Sequence, residues 1–465
     1  MSPHPTAPST LLRRLLVVLL VWLVAAGTTA PAAFATPPAG EDVPGTATPD
    51  GLRYDVRLRA DADGSHWTGR QRVSFRNASD QPLREVYVRL WGNGEDKCGT
   101  PGAPSPVKVS GVRGGTAGDL TVDCTALAIT LPEPLAHGER TSVAFDVSIT
   151  VPERNARFGR EGAFRFLGNA LPVLAVHDEK GWHLDPYMSL GESFYALASD
   201  FRVRIDHPAA LEIPATGRTW TRPGGAGRAI TWSVAHQVRD FAWAAGPFRT
   251  ATDVSPGGVT VKSYWAPDTP AEGVRLNRAD GVAAVDRFGE EFGRYPYGEI
   301  DLVMTSGFGG GMEYPGLVLV GTTEEGSAVV HEVAHQWWYG IVGNDQYDAP
   351  WLDESFAQYA NARFYGWDMS ECWADTYWPS EQSAVTNSMA YWAGHRNEYH
   401  LIYSAGSCAL SRLELTLGSD TMARLLKEYA RDHWYGVSTT ADFKNAAQAL
   451  TDQDLTSFWE EHRIR

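Results

Sequence analysis

The chain has 465 residues, of which 43% are hydrophobic and 11% aromatic, which is enough apolar material for two or three domains with packed cores. We therefore do not expect the chain to be mainly disordered. There are 40 basic and 56 acidic residues, giving a formal net charge of −16. That charge has the wrong sign for binding a phosphate backbone, so we expect no nucleic-acid partner.

The N-terminus has the pattern of an export signal. Arg13 and Arg14 precede an apolar run, Leu15–Gly27, which is followed by small residues that end in the triplet 33–35 (AFA). We predict a signal peptide over residues 1–35 with cleavage after Ala35. The alternative is an uncleaved membrane anchor, but the run is shorter than the roughly 20 residues that a spanning helix needs. We therefore expect a secreted protein without stable membrane association after cleavage.

Four cysteines are divided evenly between the two halves of the chain: Cys98, Cys124, Cys372 and Cys408. In an exported protein, the two local pairs Cys98–Cys124 and Cys372–Cys408 give the simplest disulfide connectivity. The wide spacings argue against the alternative of a cysteine-based metal site.

The residue pattern changes near position 250. After a Pro/Ala/Gly-rich linker at 36–49, residues 50–249 alternate apolar and polar side chains in short runs separated by turn residues, which predicts an N-terminal antiparallel β-domain. Residues 250–465 show mostly helical spacing. The predicted fold class is therefore α+β, with a β-rich domain followed by a mixed, mainly helical domain.

The second predicted domain contains the strands and helices that carry the candidate functional residues. Short apolar strands are predicted at 301–305 and 317–321, on either side of a glycine-rich turn. Helices are predicted over residues 273–293, Ser327–Tyr339, Trp351–Tyr365 and Ala405–Leu417.

The segment 331–335 reads HEVAH, the pattern HExxH. On a helix, positions i and i+4 lie one above the other, so His331 and His335 can reach the same metal ion. Glu332 projects to a different side of the helix, where it can act as general base towards a water at the metal.

A catalytic zinc site uses three protein ligands, so a third should follow where the chain turns back. Glu354 meets this requirement, because 18 residues separate it from His335. This leaves room for a loop and the first turn of a second, antiparallel helix. Asp348 and Asp353 are close by, and geometry alone does not separate them from Glu354. His/His/Glu ligation suits zinc best.

Taken together, these segments resemble the aminopeptidase N family of gluzincins, in the form of a short, secreted bacterial-type member. HEVAHQWWYG followed by WLDESFAQY is similar to the family's HExxH block, 18-residue spacer and WLNEGFA-type block. Three further blocks match: DFAWAAG at 240–246, FGRYPYGEIDLV at 292–303 and GGMEYPG at 310–316. The resemblance covers residues 50–465 and implies a thermolysin-like catalytic domain with one zinc ion.

The resemblance also implies substrate-binding residues. GGMEY stands in place of the family's GAMEN-type segment, so Glu313 is expected to bind the free α-amine of a peptide, and the backbone of Gly310, Gly311 and Met312 to hydrogen-bond the peptide strand. A second amine-binding residue is expected in the β-domain, where Glu192 is the candidate.

By the same resemblance, Tyr403 is expected to donate a hydrogen bond to the oxyanion of the tetrahedral intermediate. Ala405 stands where the family has lysine, so Tyr399 and Tyr391 remain alternatives.

Three residues depart from the family pattern beside the expected site. Asp353 and Ser355 flank the third ligand, and Tyr314 replaces asparagine after Glu313. Asp348 is a candidate either to orient a ligand or to cap a helix.

The expected function is that of a secreted zinc aminopeptidase that uses metal-activated water to release N-terminal residues from peptides with a free N-terminus. The resemblance ends without the large helical C-terminal domain of long members, so an open cleft is expected. The alternatives are a zinc endopeptidase or another zinc hydrolase, such as an epoxide-opening enzyme, and a non-catalytic binding module. The oligomeric state is not predicted.

Overall fold

The fold was analysed in a computed structural model, which describes residues 51–96, 105–305, 307, 309–325, 328–373 and 377–465. The predicted signal peptide (1–35), the linker (36–49), Cys98 and Ser327 lie outside these described residues.

The first part of the fold, residues 51–245, is a set of β-sheets. The strands are β1 (Arg53–Ala60), β2 (His66–Arg76), β3 (Leu83–Arg89), β4 (Val107–Arg113), β5 (Thr116–Thr121), β6 (Ala126–Leu135), β7 (Arg140–Thr150), β8 (Phe158–Glu161), β9 (Phe164–Leu167), β10 (Val173–Leu174), β11 (His177–Asp178), β12 (Gly181–Trp182), β13 (Ser199–Pro208), β14 (Arg218–Gly225), β15 (Arg228–Val238) and β16 (Trp243–Ala245). Among the described strands, the largest sheet has the order β14-β15-β13-β1-β2-β7-β4, and a second has the order β10-β3-β6-β5. A three-stranded sheet, β16-β9-β8, and a β11-β12 pair complete this part.

Alternating side chains explain why these segments form half-buried strands. In β1, every second residue from Tyr54 onward is buried, and the strand pairs antiparallel with β2. The inner faces form one core, in which Trp67 and Trp243 are buried. The predicted β-rich domain is thus confirmed, with one addition: β1 pairs with β13 in parallel. Parallel pairing needs a long connection, and here more than a hundred residues separate the two strands.

The second part, residues 249–465, begins with a five-stranded sheet of order β17-β18-β19-β21-β20. Its strands are β17 (Arg249–Val254), β18 (Thr260–Trp265), β19 (Glu299–Thr305), β20 (Gly311–Met312) and β21 (Leu317–Gly321). Every residue of β19 is buried, as expected for a central parallel strand covered on both faces. The short strand β20 lies at the edge and pairs antiparallel with β21.

Helices follow the sheet along the chain. They are α1 (Ala271–Phe292), α2 (Val329–Ala334), α3 (Trp351–Tyr365), α4 (Met389–Gly394), α5 (Leu401–Leu417), α6 (Ser419–Asp432), α7 (Thr440–Gln448) and α8 (Thr456–Glu461), with short 3-10 turns at Trp91–Asn93 and Arg396–Glu398. Local sequence explains several boundaries. The helix α3 ends at Gly366, which adopts a left-handed conformation (φ 68°), and α7 begins with a capping box formed by Thr439 and Asp442.

The predicted helix Ser327–Tyr339 was too long, because α2 ends at Ala334. His335 still keeps helical dihedrals and donates its N–H to the His331 carbonyl at 3.2 Å. Beyond it the chain turns, and Tyr339 has φ 131°. Trp337 and Trp338 continue the apolar spacing and are buried. The sequence pattern therefore persists after the helix has stopped.

An aromatic core holds α2 and α3 together. The Phe356 ring on α3 lies 5.0 Å from Trp338, 5.7 Å from Trp351 and 4.8 Å from Phe443, measured between ring centroids. All four side chains are nearly or fully inaccessible to solvent. This packing fixes the distance between the two helices that carry the predicted metal ligands.

Arg239 joins the two parts of the fold. Its buried guanidinium donates to the carbonyl oxygens of Tyr339 (2.6 Å) and Ile341 (3.0 Å), just after α2, and to that of Gly436, just after α6. Gly343 leaves room for this group, since a Cβ at that position would overlap the guanidinium. The loop that follows the HExxH segment is therefore anchored on the β-rich part.

The predicted disulfide Cys372–Cys408 is present and joins the segment after α3 to α5. The other predicted pair involves Cys98, so it remains a prediction. Among the described residues, no helix is long and apolar enough to cross a membrane.

We expect Phe356→Ala to lower the free energy of unfolding by about 3–5 kcal/mol, because it removes a buried ring from a core that cannot fully collapse around the cavity. Leu415→Ala is the control: its side chain is 65% exposed, and the change should stay within about 0.5 kcal/mol. Urea unfolding followed by circular dichroism measures both. Equal losses for the two variants would contradict this account of the core.

Candidate active site

The structure brings the three predicted metal ligands together. Nε2 of His331 lies 3.0 Å from Nε2 of His335, and these two atoms lie 3.2 and 3.4 Å from Oε2 of Glu354. All three side chains are buried. Their ligand atoms converge on one point, as a tetrahedral metal site requires. Of the two alternative third ligands, neither Asp348 nor Asp353 belongs to this group.

The second nitrogen of each imidazole faces an acceptor. Nδ1 of His331 lies 3.2 Å from Oε1 of Gln358, and Nδ1 of His335 lies 2.9 Å from the Trp338 carbonyl. Each acceptor favours a proton on Nδ1 and so leaves the Nε2 lone pair directed towards Glu354. This two-histidine, one-carboxylate donor set fits zinc.

Tyr403, near the start of α5, lies at the same site. Its hydroxyl donates to Oε1 of Glu354 at 2.8 Å, leaving Oε2 for the metal. The alternatives are placed differently. Tyr399 packs edge-to-face on Tyr403, whereas Tyr391 stacks on His395. The role of Tyr403 towards an oxyanion remains a prediction.

Glu332 lies beside the metal ligands and next to strand β20. A Cβ built on Gly311 would overlap its carboxylate, so the glycine is needed for this close approach. Burial raises the pKa of Glu332 well above its ordinary value; the charge of His335 opposes the shift, and the nearby carboxylates Glu313 and Glu354 add to it. A cation bound by the three ligands would counter the shift.

Glu313 follows β20 and is buried. Its neighbour Met312 packs in a small core between the β-rich part and the five-stranded sheet, together with Tyr314. The Tyr314 hydroxyl donates to Asn169 at 2.7 Å, and Asn169 in turn donates to Asp240 at 2.6 Å, where burial raises the pKa of Asp240 to about 7. Tyr314, the departure from the family pattern, therefore anchors the segment that carries Glu313.

Glu192, the second predicted amine-binding residue, is buried and paired with the guanidinium of Arg157 at 2.7 Å. Arg157 lies over the ring of Phe194. Burial raises the pKa of Glu192, Arg157 opposes the shift, and Glu313 and Glu354 add to it. The carboxylate lies near the site, but its charge is already compensated.

Asp348 takes neither of its two predicted roles. Its side chain is half exposed and lies 3.7 Å from Lys180, and α3 follows Pro350 without a side-chain cap. Asp353 is buried, and its Oδ2 accepts from Gln346 at 2.8 Å. Ser355 donates to the Ile402 carbonyl and so joins α3 to α5.

Sequence reasoning missed two glutamines at the site. Gln358 lies one helical turn after Glu354, a spacing that the α3 pattern could have indicated. Gln346 lies in the loop before α3, and no local pattern distinguishes it.

A charged cluster positions that loop. Nε2 of His183 lies 2.7 Å from Asp178, and its Nδ1 lies 3.2 Å from Asp345. The hydrogen bond to Asp345, supported by Asp178 and opposed by burial, raises the pKa of His183 to about 9. Asp345 also accepts from the backbone N–H groups of Tyr347 and Asp348. The imidazolium thus joins the β-rich part to the loop before α3.

We expect Gly311→Ala to lower turnover by about a hundredfold or more, because the added methyl group displaces the predicted general base. Metal content should stay unchanged, since the ligands are not touched. Gly309→Ala is the control, because a Cβ there meets no described atom within 4 Å. Steady-state kinetics with metal analysis checks both, and an active Gly311→Ala enzyme would contradict the assigned position of Glu332.

We expect His183→Gln to lower the free energy of unfolding at pH 6 by about 1–2 kcal/mol, less than the pKa shift alone implies because the group is partly solvated. A raised pKa gives stability that is complete below pH 6.5 and is lost as the pH rises through about 9. The difference from wild type should therefore shrink between pH 7 and 10. Urea unfolding across this range, with the exposed His236→Gln as control, measures it; a constant difference would rule out the charged clamp.

Comparisons with known proteins agree with the arrangement of the candidate metal ligands. Residues 281–462 match the Peptidase family M1 domain. Aminopeptidase 2 of Candida albicans is 28% identical over 203 residues, covering 36% of this chain and 22% of its own length. Aminopeptidase N of Lactococcus lactis is 27% identical over 148 residues, covering 28% and 17%. The chain thus spans about a fifth of the length of these relatives.

Solved structures extend the likeness to the whole fold. The M1 zinc metallopeptidase from Deinococcus radiodurans has a TM-score of 0.65 at 19% identity, covering 90% of this chain and 93% of its own. A mutant of that enzyme bound to the peptide Tyr-Ser-Ala has a TM-score of 0.63 at 18% identity, covering 90% and 94%. These matches confirm the predicted fold class and the predicted resemblance to the aminopeptidase N family, and the similarity to the Peptidase family M1 domain spans residues 281–462.

Proposed function

We propose that this protein is a secreted aminopeptidase that uses one zinc ion and removes single residues from peptides with a free N-terminus. The observation that carries the proposal is the convergence of His331, His335 and Glu354 with the buried carboxylates of Glu332 and Glu313. The named relatives are aminopeptidases. The apolar N-terminal run and the disulfide Cys372–Cys408 support export.

In the proposed reaction, the bound zinc supplies Lewis-acid polarisation and lowers the pKa of water. Glu332 takes a proton from the attacking water and returns it to the leaving amine. The Tyr403 hydroxyl donates to the ligand Glu354 in the structure, and in the proposed reaction its single O–H turns to the developing oxyanion.

Substrate alignment is assigned to the segment around β20. Glu313 pairs with the α-ammonium group and thereby sets the cut one residue from the chain end. The backbone of Gly310, Gly311 and Met312 lies at the edge of the five-stranded sheet, where an extended peptide can add by main-chain hydrogen bonds. An endopeptidase would not need a buried carboxylate at the position of Glu313, which favours the exopeptidase assignment.

Digestion of a peptide library with free and N-acetylated ends, followed by mass spectrometry, tests the proposal. We expect single residues to be released from free ends only, and the release to stop when a zinc chelator is added. Acetylation removes the charge that Glu313 would bind, so blocked peptides should stay intact. Internal cuts in blocked peptides would favour the endopeptidase alternative, and no cleavage at all the non-catalytic one.

The matched variant is Glu332→Gln, which keeps the shape of the side chain but removes the base. It should retain zinc and lose turnover by about a hundredfold or more, while Glu325→Gln, at an exposed position, should behave as wild type. Full activity in a zinc-loaded Glu332→Gln enzyme would overturn the mechanism.

A further inference from the structure

Gln346 connects two carboxylates at the site. Its side chain is 1% exposed. Its Nε2 donates to Oδ2 of Asp353 at 2.8 Å and lies 3.4 Å from Oε1 of Glu313. Its Oε1 accepts no hydrogen bond from the residues that the structure describes. The amide thus lies between the predicted amine-binding residue and the neighbour of a metal ligand, with one polar atom unused.

The orientation of this amide follows from its partners. Its Nε2 lies within hydrogen-bond distance of a carboxylate oxygen of Asp353 and of one of Glu313, and an NH₂ group has one N–H for each. The oxygen Oε1 is left without a hydrogen-bond partner among the described residues, and a buried acceptor without a partner destabilises the fold unless something binds there.

The chemistry of the proposed substrate supplies that partner. A peptide's α-ammonium group has three N–H donors, and Glu313 satisfies only part of this set. Glu192 is the other predicted acceptor, but it is paired with Arg157 at 2.7 Å. A neutral amide oxygen adds an acceptor without adding another negative charge to a site that already holds Glu332 and Glu354.

The loop that carries Gln346 is fixed on both sides. The Gln346 N–H donates to the Phe194 carbonyl at 3.2 Å, which ties it to the β-rich part. The preceding residue, Asp345, lies 3.2 Å from His183 and accepts from the N–H of Tyr347. The backbone that carries the amide is therefore held in place before a ligand binds, which favours a specific contact.

We propose that Gln346 is a second recognition residue for the α-ammonium group of the substrate. Its Oε1 accepts a hydrogen bond from the ammonium, while its Nε2 orients the carboxylate of Glu313. This assignment rests on the proposed aminopeptidase function and names a residue for which the sequence carries no signal.

Two small hydroxamates separate amine recognition from metal binding. Alanine hydroxamate carries the α-amine, and propanohydroxamic acid lacks it; both bind zinc through the hydroxamate. Inhibition constants for both are measured on the zinc-loaded wild-type enzyme, on Gln346→Met, which keeps the size of the side chain, and on the exposed control Gln382→Met. Zinc content is measured for each protein.

We expect wild type and Gln382→Met to prefer alanine hydroxamate. In Gln346→Met this preference should fall by about tenfold, as for a lost hydrogen bond to a charged group, with the constant for propanohydroxamic acid unchanged. An unchanged preference, or an equal loss for both compounds, would overturn the assignment of Gln346. If wild type itself shows no preference, the proposed aminopeptidase function fails instead.

Discussion

The arrangement of the site depends on one buried cation, the guanidinium of Arg239. Main-chain carbonyl oxygens just after α2 and just after α6 replace the water that this group loses on burial. Gly343 is required for the contact, because any side chain there would overlap the guanidinium. The chain between the HExxH helix and α3 is thereby anchored on the β-rich part. The positions of Glu354 and Gln346 follow from this anchor as much as from their own helix or loop.

The two parts of the fold contribute differently to the site. The predicted metal ligands lie in α2, directly after it at His335, and in α3, and the aromatic core around Phe356 sets the spacing of these two helices. The predicted substrate contacts come from the boundary between the parts. Glu313 is held by Met312 and Tyr314 in the small core there, and Glu192 belongs to the β-rich part. Different packing surfaces support the two sets of residues, and Gln346 connects them through Glu313 and Asp353.

The sequence predicts those features that are determined by residues close together in the chain. Helical spacing predicted the positions of both histidines. The bounds of α3 and β21 agree with the predicted bounds, because Gly366 ends α3 and β21 coincides with a buried apolar run. The features that sequence missed depend on contacts between distant residues. The end of α2 is set by buried turns rather than by a break in the apolar pattern. The Arg157–Glu192 pair and Gln346 are fixed by neighbours that no spacing rule relates. For Asp348, proximity in the chain was misleading, since its side chain turns to the surface.

Strand β20 lies at the edge of the described five-stranded sheet, and the unpaired backbone groups of edge strands are in general sites of uncontrolled association between copies of a protein. Here the strand is only two residues long, Gly311–Met312. Two residues can form enough main-chain hydrogen bonds to align a short peptide but not enough to hold a second folded copy. A strand this short therefore favours reversible pairing with a short peptide over association with a second copy of the protein. A longer strand would favour self-association and lower the solubility of the protein.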